Sequence, residues 1–409
     1  MYIAASRSPD LTTTDPRALP RRVPANVVAL GVVSLVTDVS SEMVTAVLPL
    51  YLVLGLGLNP LQFGLLDGLY TGATAVVRVL GGHLADRWGR LKAVAGFGYG
   101  LSAVCKLGLL AAGSSVAAIG VVLAADRTGK GLRTGPRDAL ISLSSDPAAL
   151  GRSFGVHRAL DTVGALLGPV AAMGVLAVSL GSYPSVFVTS FCVAAVGVLL
   201  LVLFVRDRPG AVDRVAVSSR AALDLLRRRD FRRVTLWAAA LGLVTVGDAF
   251  LYLVLQRRWD VPVAYFPLLP LGTAAVYLLL AVPVGRLADR VGRWPVFLGG
   301  HAALGVALVV VCGPTAGPGL AVLALALHGV FYAATDGVLM AAAGPMVPPE
   351  LRSTGFAVVQ TGQAVARMSS SILFGLAWTL WGLRPAVFAA AGLLAVVVLA
   401  AAVARPVRP

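Results

Sequence analysis

The nonapeptide Gly82-His83-Leu84-Ala85-Asp86-Arg87-Trp88-Gly89-Arg90 returns as Gly285-Arg286-Leu287-Ala288-Asp289-Arg290-Val291-Gly292-Arg293, and the copies differ only at their second and seventh positions. The second copy lies 203 residues after the first in a chain of 409, close to half its length. Each copy is a short charged break between long apolar runs. A specific charged cassette recurring at half-length marks two homologous halves, and its apolar surroundings place both in a membrane.

Composition agrees. The chain is 58% hydrophobic and only 13% charged, with a mean hydropathy of +0.86. A water-soluble domain carries about 25% charged residues, so most of this surface faces lipid. The net charge of +15 would suggest nucleic acid in a soluble protein. Here the cations gather in alternate loops, which argues for topology and against a nucleic-acid partner. Cys105, Cys192 and Cys312 fall within apolar runs and read as small buried hydrophobes. His83, His157, His301 and His328 show no ligand spacing, so no metal is expected. No glycine-rich loop ending in Gly-Lys-Ser/Thr is present, and no nucleophile, base and metal set can be assembled. The sequence therefore implies neither a cofactor nor an enzyme.

Crossing about 30 Å of hydrocarbon takes about 20 apolar residues. Twelve such spans can be placed, at 27–54, 62–81, 93–112, 116–137, 152–178 and 184–205, then 234–255, 264–284, 295–312, 319–342, 353–380 and 385–404. The expected fold is an all-α integral membrane protein with twelve transmembrane helices in two six-helix pseudo-symmetric bundles. The bundles occupy 25–205 and 234–405, joined by a basic linker at 206–233. Residues 1–24 read as a polar disordered tail without the features of a signal peptide, and 406–409 as a second tail. Arg and Lys populate the N-terminal tail, the loops after spans 2, 4, 6, 8 and 10, and the C-terminal tail. The opposite loops at 55–61, 113–115, 179–183 and 313–318 contain neither, and Arg257, Arg258 and Arg384 are the exceptions. Both termini are thus expected in the cytoplasm of a multi-pass protein of a bacterial inner membrane. Within the linker, 221–233 reads as a basic amphipathic helix on the anionic leaflet. The bilayer is the partner this predicts, and the chain is read as a monomer.

Two six-helix halves, a basic central loop and the cassette after spans 2 and 8 resemble the major facilitator superfamily over essentially residues 25–405. The cassette corresponds to the family's motif A, with Leu91 standing where a second basic residue is usual and Lys92 following. Its residues Gly82, Asp86, Arg87, Gly89 and Arg90, and Gly285, Asp289, Arg290, Gly292 and Arg293, need glycines for tight turns and an acid to meet a helix start or an arginine across the halves. The resemblance implies that Asp86 faces the start of span 11 near Arg352, and Asp289 the start of span 5 near Arg152, closing the cytoplasmic side. The stretch 123–131 resembles motif B around Arg127, with Lys130 in place of the usual Gln. Gly155, Gly164, Gly168 and Pro169 keep the spacing of motif C, associated with proton-coupled exporters, although Ala172 and Met173 replace its closing glycines. Small residues at that spacing also allow close helix packing, with a bend at the proline. The segments 37–43 and 129–139 resemble a prokaryotic subgroup of these carriers.

An ionisable side chain at bilayer depth costs roughly 2.5–3.5 kcal/mol on insertion scales. Span 1 carries Asp38 and Glu42 four residues apart, hence on one face. Asp38 sits about eleven residues, at 1.5 Å each, from the cytoplasmic end, near the midplane. In this fold spans 1, 4, 7 and 10 line a central cavity, so the candidate coupling and substrate residues are Asp38, Glu42, Arg127, Asp248 and Asp336. Two carboxylates within one turn repel each other and burial adds desolvation, which suits a site that binds and releases protons. Arg127 near either acid would oppose that. A static ion pair between spans 1 and 4 is the competing reading. Asp67, Arg78, Lys106, Arg158, Asp161 and Arg367 read as structural charges, with Lys106–Asp67 and Arg158–Asp161 as the plausible pairs. Tyr70, Tyr99, Tyr252, Tyr332, Trp237 and Trp378 read as packing residues that could also line a cavity.

The expectation is a secondary transporter working by alternating access, exporting a small amphiphilic or cationic molecule in exchange for protons. A proton symporter importing a nutrient or metal chelate is the nearest alternative. A non-transporting sensor on the same fold is the remote one.

Overall fold

The computed structural model describes residues 23–73, 90–146, 149–207, 224–314, 317–348 and 351–404, with backbone alone for 352–354. Among the described residues the long apolar runs are helical. The N-terminal half holds α1 (Ala25–Leu50), α2 (60–73), α3 (Leu91–Ala111), α4 (Val116–Ser144), α5 (Leu150–Val178) and α6 (Tyr183–Phe204). The C-terminal half holds α7a (Arg229–Val244) and α7b (Asp248–Trp259), α8 (Leu268–Val291), α9 (Arg293–Cys312), α10a (Pro318–Thr335) and α10b (Val338–Ala343), α11 (Arg352–Trp381) and α12 (Leu383–Ala404). Among the described residues, nine helices are long and apolar enough to cross a membrane. α4 is as long as these but carries Asp126, Arg127, Lys130, Arg133, Arg137 and Asp138.

Local chemistry sets the ends. Ser115 and Ser182 cap α4 and α6 by accepting from the backbone N–H of Ala118 and Ser185. Gly292, the second glycine of the repeated cassette, sits at φ +103° between α8 and α9, where a side chain would be strained. That turn explains why the cassette needs a glycine there. Two of the expected spans are broken: α7 at 245–247, and α10 at Asp336–Gly337, where Gly337 has φ +78°.

Packing repeats with the sequence. α1 packs on α5 and α6, and α3 on α4 and α6; likewise α7a packs on α11 and α12, and α9 on α10a and α12. Each C-terminal pair is an N-terminal pair advanced by six helices, so duplication is written in the packing as well as the cassette.

The halves meet at one end. One large apolar cluster draws on both, joining Met43, Leu50, Phe63 and Leu66 to Phe250, Leu251, Phe374 and Trp378. It lies toward the far face, opposite the two termini. Toward the terminal face, a cluster from Val27 to Val205 belongs wholly to the first half, and another from Leu225 to Ala401 wholly to the second. Among the described residues the bundle is therefore sealed at its far face, while its halves stand apart at the terminal face.

Candidate functional site

α1 presents Ser34, Asp38 and Glu42 at successive turns, and Asp38 and Glu42 are its only charged side chains. Arg133 on α4 donates from Nη2 to Asp38 Oδ1 at 3.4 Å, and Asp38 is also within hydrogen-bonding reach of Asp161 on α5. Asp161 accepts from Ser34 Oγ at 2.7 Å and pairs with Arg137 at 3.7 Å and Arg158 at 3.6 Å. Arg137 also donates to Ser34 Oγ at 3.2 Å and to Asp138 at 3.1 Å. The Arg133 guanidinium lies over the Tyr99 ring, 4.5 Å from its centroid. Four helices, α1, α3, α4 and α5, thus converge on one largely buried polar network, which offsets the desolvation of its buried members.

A second group surrounds Asp126. It receives Ser102 Oγ at 2.5 Å and pairs with Arg127 at 2.5 Å and Lys106 at 3.8 Å. Arg127 also stacks on Tyr70 at 3.9 Å, and Tyr70 shares a 2.8 Å hydrogen bond with Thr45 of α1. These residues wall a cavity of about 10 Å³ between the first four helices, room for about one water. The ion pair between α1 and α4 is formed by Arg133 with Asp38, while Arg127 turns toward α2 and keeps only electrostatic reach to Glu42. One expected pairing is corrected. Lys106 pairs with Asp126 rather than Asp67. The Arg158–Asp161 pair is present.

Glu42 and Lys130 differ from these. Among the described residues, neither side chain makes a hydrogen bond or ion pair, yet each is within electrostatic reach of the other. Both are partly exposed.

In the second half, Asp248 opens α7b. It accepts from the Tyr332 hydroxyl and meets His328 Nε2 at 3.2 Å, while His328 Nδ1 meets Thr273 Oγ1 at 3.2 Å. The His328 side chain is fully buried, whereas that of Asp248 is 41% exposed. The acid therefore faces open space while its partner is locked in the core. Asp336, at the break in α10, accepts from Tyr277 at 3.0 Å, and Tyr277 packs edge-on to Tyr332. Asp248 and Asp336 are thus linked through two tyrosines. Sequence reasoning does not single out Arg133, Arg137 or His328 as site residues, and it names Tyr332 only as a packing residue that could also line a cavity. The four-residue spacing of each pair, which puts its members on one helix face, is the available signal.

Of the first cassette copy, Gly82, Asp86, Arg87 and Gly89 lie outside the described residues, as do Arg78 and the side chain of Arg352. Arg90 is described and immediately precedes α3. In the second copy, Asp289 is exposed and pairs with Arg293 at 3.4 Å, and Arg293 donates to the Ala341 carbonyl of α10b at 2.7 Å. Arg290 is exposed at the end of α8, and a Cβ on Gly285 would meet nothing within 4 Å. Arg152 is exposed in the first turn of α5.

The glycines of α5 separate by role. A Cβ on Gly168 would stand 2.5 Å from Glu42 Cβ and 2.9 Å from the Val39 carbonyl oxygen, and one on Gly164 would stand 2.9 Å from Leu35 Cα. These two let α5 lie directly on α1, with Pro169 inside the helix just beyond. Gly155 has open space around it.

The Major Facilitator Superfamily sequence model matches residues 30–276 and 249–409. An uncharacterized MFS-type transporter of Methanocaldococcus jannaschii is 27% identical over 370 residues, 88% of this chain and 89% of that protein. The fold is similar to that of the nucleoside transporter NupG, with a TM-score of 0.80 at 16% identity over 92% of this chain and 98% of that one. It is also similar to an inward-facing, occupied bacterial homolog of the human lysosomal transporter Spinster, with a TM-score of 0.72 at 16% identity over 93% and 96% of the two chains. With two symmetric six-helix halves, each carrying a network of charged side chains on its membrane-spanning helices, and a family match along nearly its whole length, the chain belongs to the Major Facilitator Superfamily of multi-pass membrane proteins and is a secondary transporter, not an enzyme.

Proposed function

We propose that this transporter exchanges protons for a small molecule by alternating access, expelling the solute from the cytoplasm, with the terminal face cytoplasmic. The observation that carries proton coupling is the meeting of Asp38 and Asp161 within hydrogen-bonding reach. Two carboxyl groups can hydrogen-bond only when they hold a proton between them. Arg133 and Arg137 flank the pair, so the site can take up or lose one proton without leaving a bare charge in the membrane. Glu42, lacking an ion pair among the described residues, is the group for which a cationic part of the substrate competes. Export, and not import, follows from that competition: proton and cation displace each other at neighbouring acids. The close packing of α5 on α1 accounts for Gly164 and Gly168 without reference to direction.

Proteoliposomes loaded with a pH-sensitive dye test this reading. Amphiphilic cations and metabolites are added in turn, and the wild type is expected to move protons in response to its substrate. Asp38→Asn should abolish the response while leaving substrate-dependent thermal stabilisation in place. Full proton movement by Asp38→Asn would remove Asp38 from the mechanism.

A further inference from the structure

Asp67 lies on α2, at a close contact between the two halves. Ser371 Oγ of α11 donates to Asp67 Oδ2 at 2.6 Å across the interface. Gly247, at the break in α7, is so close that a Cβ there would stand 3.0 Å from Asp67 Oδ2 and 3.1 Å from Ser371 Oγ. Gly64, Gly68 and Gly72 recur every fourth residue on α2, with Ser371 and Met368 of α11 against them. Gly375 closes on Pro60 and Leu61, and Leu61 N–H donates to Thr379 Oγ1 at 3.1 Å. This seam is part of the far-face seal, and separation of α2 from α11 would open it.

The groups around Asp67 do not neutralise it. α7b brings Asp248, close enough for the two acids to repel each other. α11 brings Ser371 and, one turn away, Arg367, whose guanidinium lies 6.0 Å from the Phe331 ring. On α2 itself the next polar group is Tyr70, occupied by Arg127 of α4 and Thr45 of α1. Behind Asp248 stand His328 and Tyr332 of α10a, both engaged with Asp248. Among the described residues, no Lys, Arg or His forms an ion pair with Asp67. An ionised Asp67 in the sealed seam would face a second carboxylate with, among the described residues, one hydroxyl as its close donor, an arrangement that costs several kcal/mol per ion at interior sites.

We propose that Asp67 is a second proton-binding site, whose neutral form lets α2 seal the far face against α11 and α7b. With the far face open, the carboxylate is hydrated and ionised. One proton from the far-side solution binds one of its oxygens, removes the repulsion with Asp248 and permits closure. Loss of the same proton to the terminal-side solution restores the repulsion and drives the seam apart. The inference rests on the proton-coupled reading but places the conformational trigger at a different residue from the Asp38–Asp161 pair.

The test needs no substrate. Full-length protein lacking Cys105, Cys192 and Cys312 is spin-labelled through Ser114→Cys and Arg384→Cys, one exposed far-face position on each half. It is reconstituted in lipid nanodiscs, and the inter-label distance is measured across a pH series. The wild type is expected to show the short distance in acid and a growing long-distance population in alkaline buffer. Asp67→Asn should keep the short distance at every pH, while Asp38→Asn keeps the wild-type response even where it abolishes proton movement in vesicles. Should Asp67→Asn not fold, Asp248→Asn decides, since removing the repelling acid should leave more of the far face closed in alkaline buffer. A wild-type pH response in Asp67→Asn, or in Asp248→Asn where it must stand in, overturns the proposal; so does a wild type whose distances do not change with pH.

Discussion

Among the described residues, Arg133 is the cation that pairs with Asp38, and both side chains are largely withdrawn from solvent. Removing one member of a buried pair leaves an uncompensated charge and costs about 3–5 kcal/mol, whereas removing both costs far less. Arg133→Gln is therefore expected to destabilise the protein by about 3–5 kcal/mol, and Asp38→Asn added to it should recover much of that loss. Equilibrium unfolding in mixed micelles, run as a double-mutant cycle, measures the coupling, and additive losses would show that the pair does not interact. The acids of this site are legible in the sequence because Asp38 and Glu42 stand one turn apart in an apolar run. Their cationic partner is not. Arg127 and Arg133 are six residues apart, hence on different faces of α4, and only the crossing of α4 with α1 decides which faces Asp38. In the same way His328 reads as a packing residue, and it becomes the partner of Asp248 only where α7b and α10a come together.

Between helices, the α5 glycines show how a motif divides into parts with different physical work. Gly168→Ala would press a methyl group into Glu42 and the Val39 backbone, and overpacking of this kind costs about 1–3 kcal/mol. Gly155→Ala meets no neighbour and should be neutral or stabilising by up to about 1 kcal/mol, the helix-propensity difference between the two residues. Unfolding midpoints of the two variants under one detergent condition check the contrast; equal losses would contradict the packing assignment. The spacing of these glycines is readable directly from the chain, since small residues four apart form one smooth stripe. The breaks in α7 and α10 are only half-legible: each carries a Gly beside an Asp, Gly247-Asp248 and Asp336-Gly337, but the apolar runs on either side are together long enough to read as one span. A helix with an apolar surface on both sides of a break reads as one span. What reveals the break is backbone geometry, Gly337 with its positive φ and Asp336 accepting from Tyr277.

For the whole molecule, the question is what holds the terminal face closed when the far face opens. The repeated cassette supplies an acid at the end of α8, and in the far-face-sealed state Asp289 is exposed and engaged only within its own half, with Arg293. Arg152 stands exposed at the start of α5, in the other half. Closing the terminal face would bring α8 toward α5, where Asp289 can exchange Arg293 for Arg152 and for the partial positive charge of the α5 N-terminus. Such a contact contributes about 1–2 kcal/mol in partly buried geometry. Asp289→Asn should then shift the population toward the terminal-open state by roughly five- to thirty-fold. Asp86→Asn should act in the same direction, since Asp86 holds in the first copy of the repeat the position that Asp289 holds in the second. The readout is the rate at which a membrane-impermeant maleimide, applied to the terminal face, labels Arg158→Cys on α5, whose native side chain is 63% exposed in this state. Faster labelling in both variants supports a gate on each side of the pseudo-symmetry axis. Faster labelling in Asp289→Asn alone would confine the gate to α8 and α5. An unchanged rate in both would mean that the cassette sets helix turns and topology, and that the terminal face is closed by other contacts.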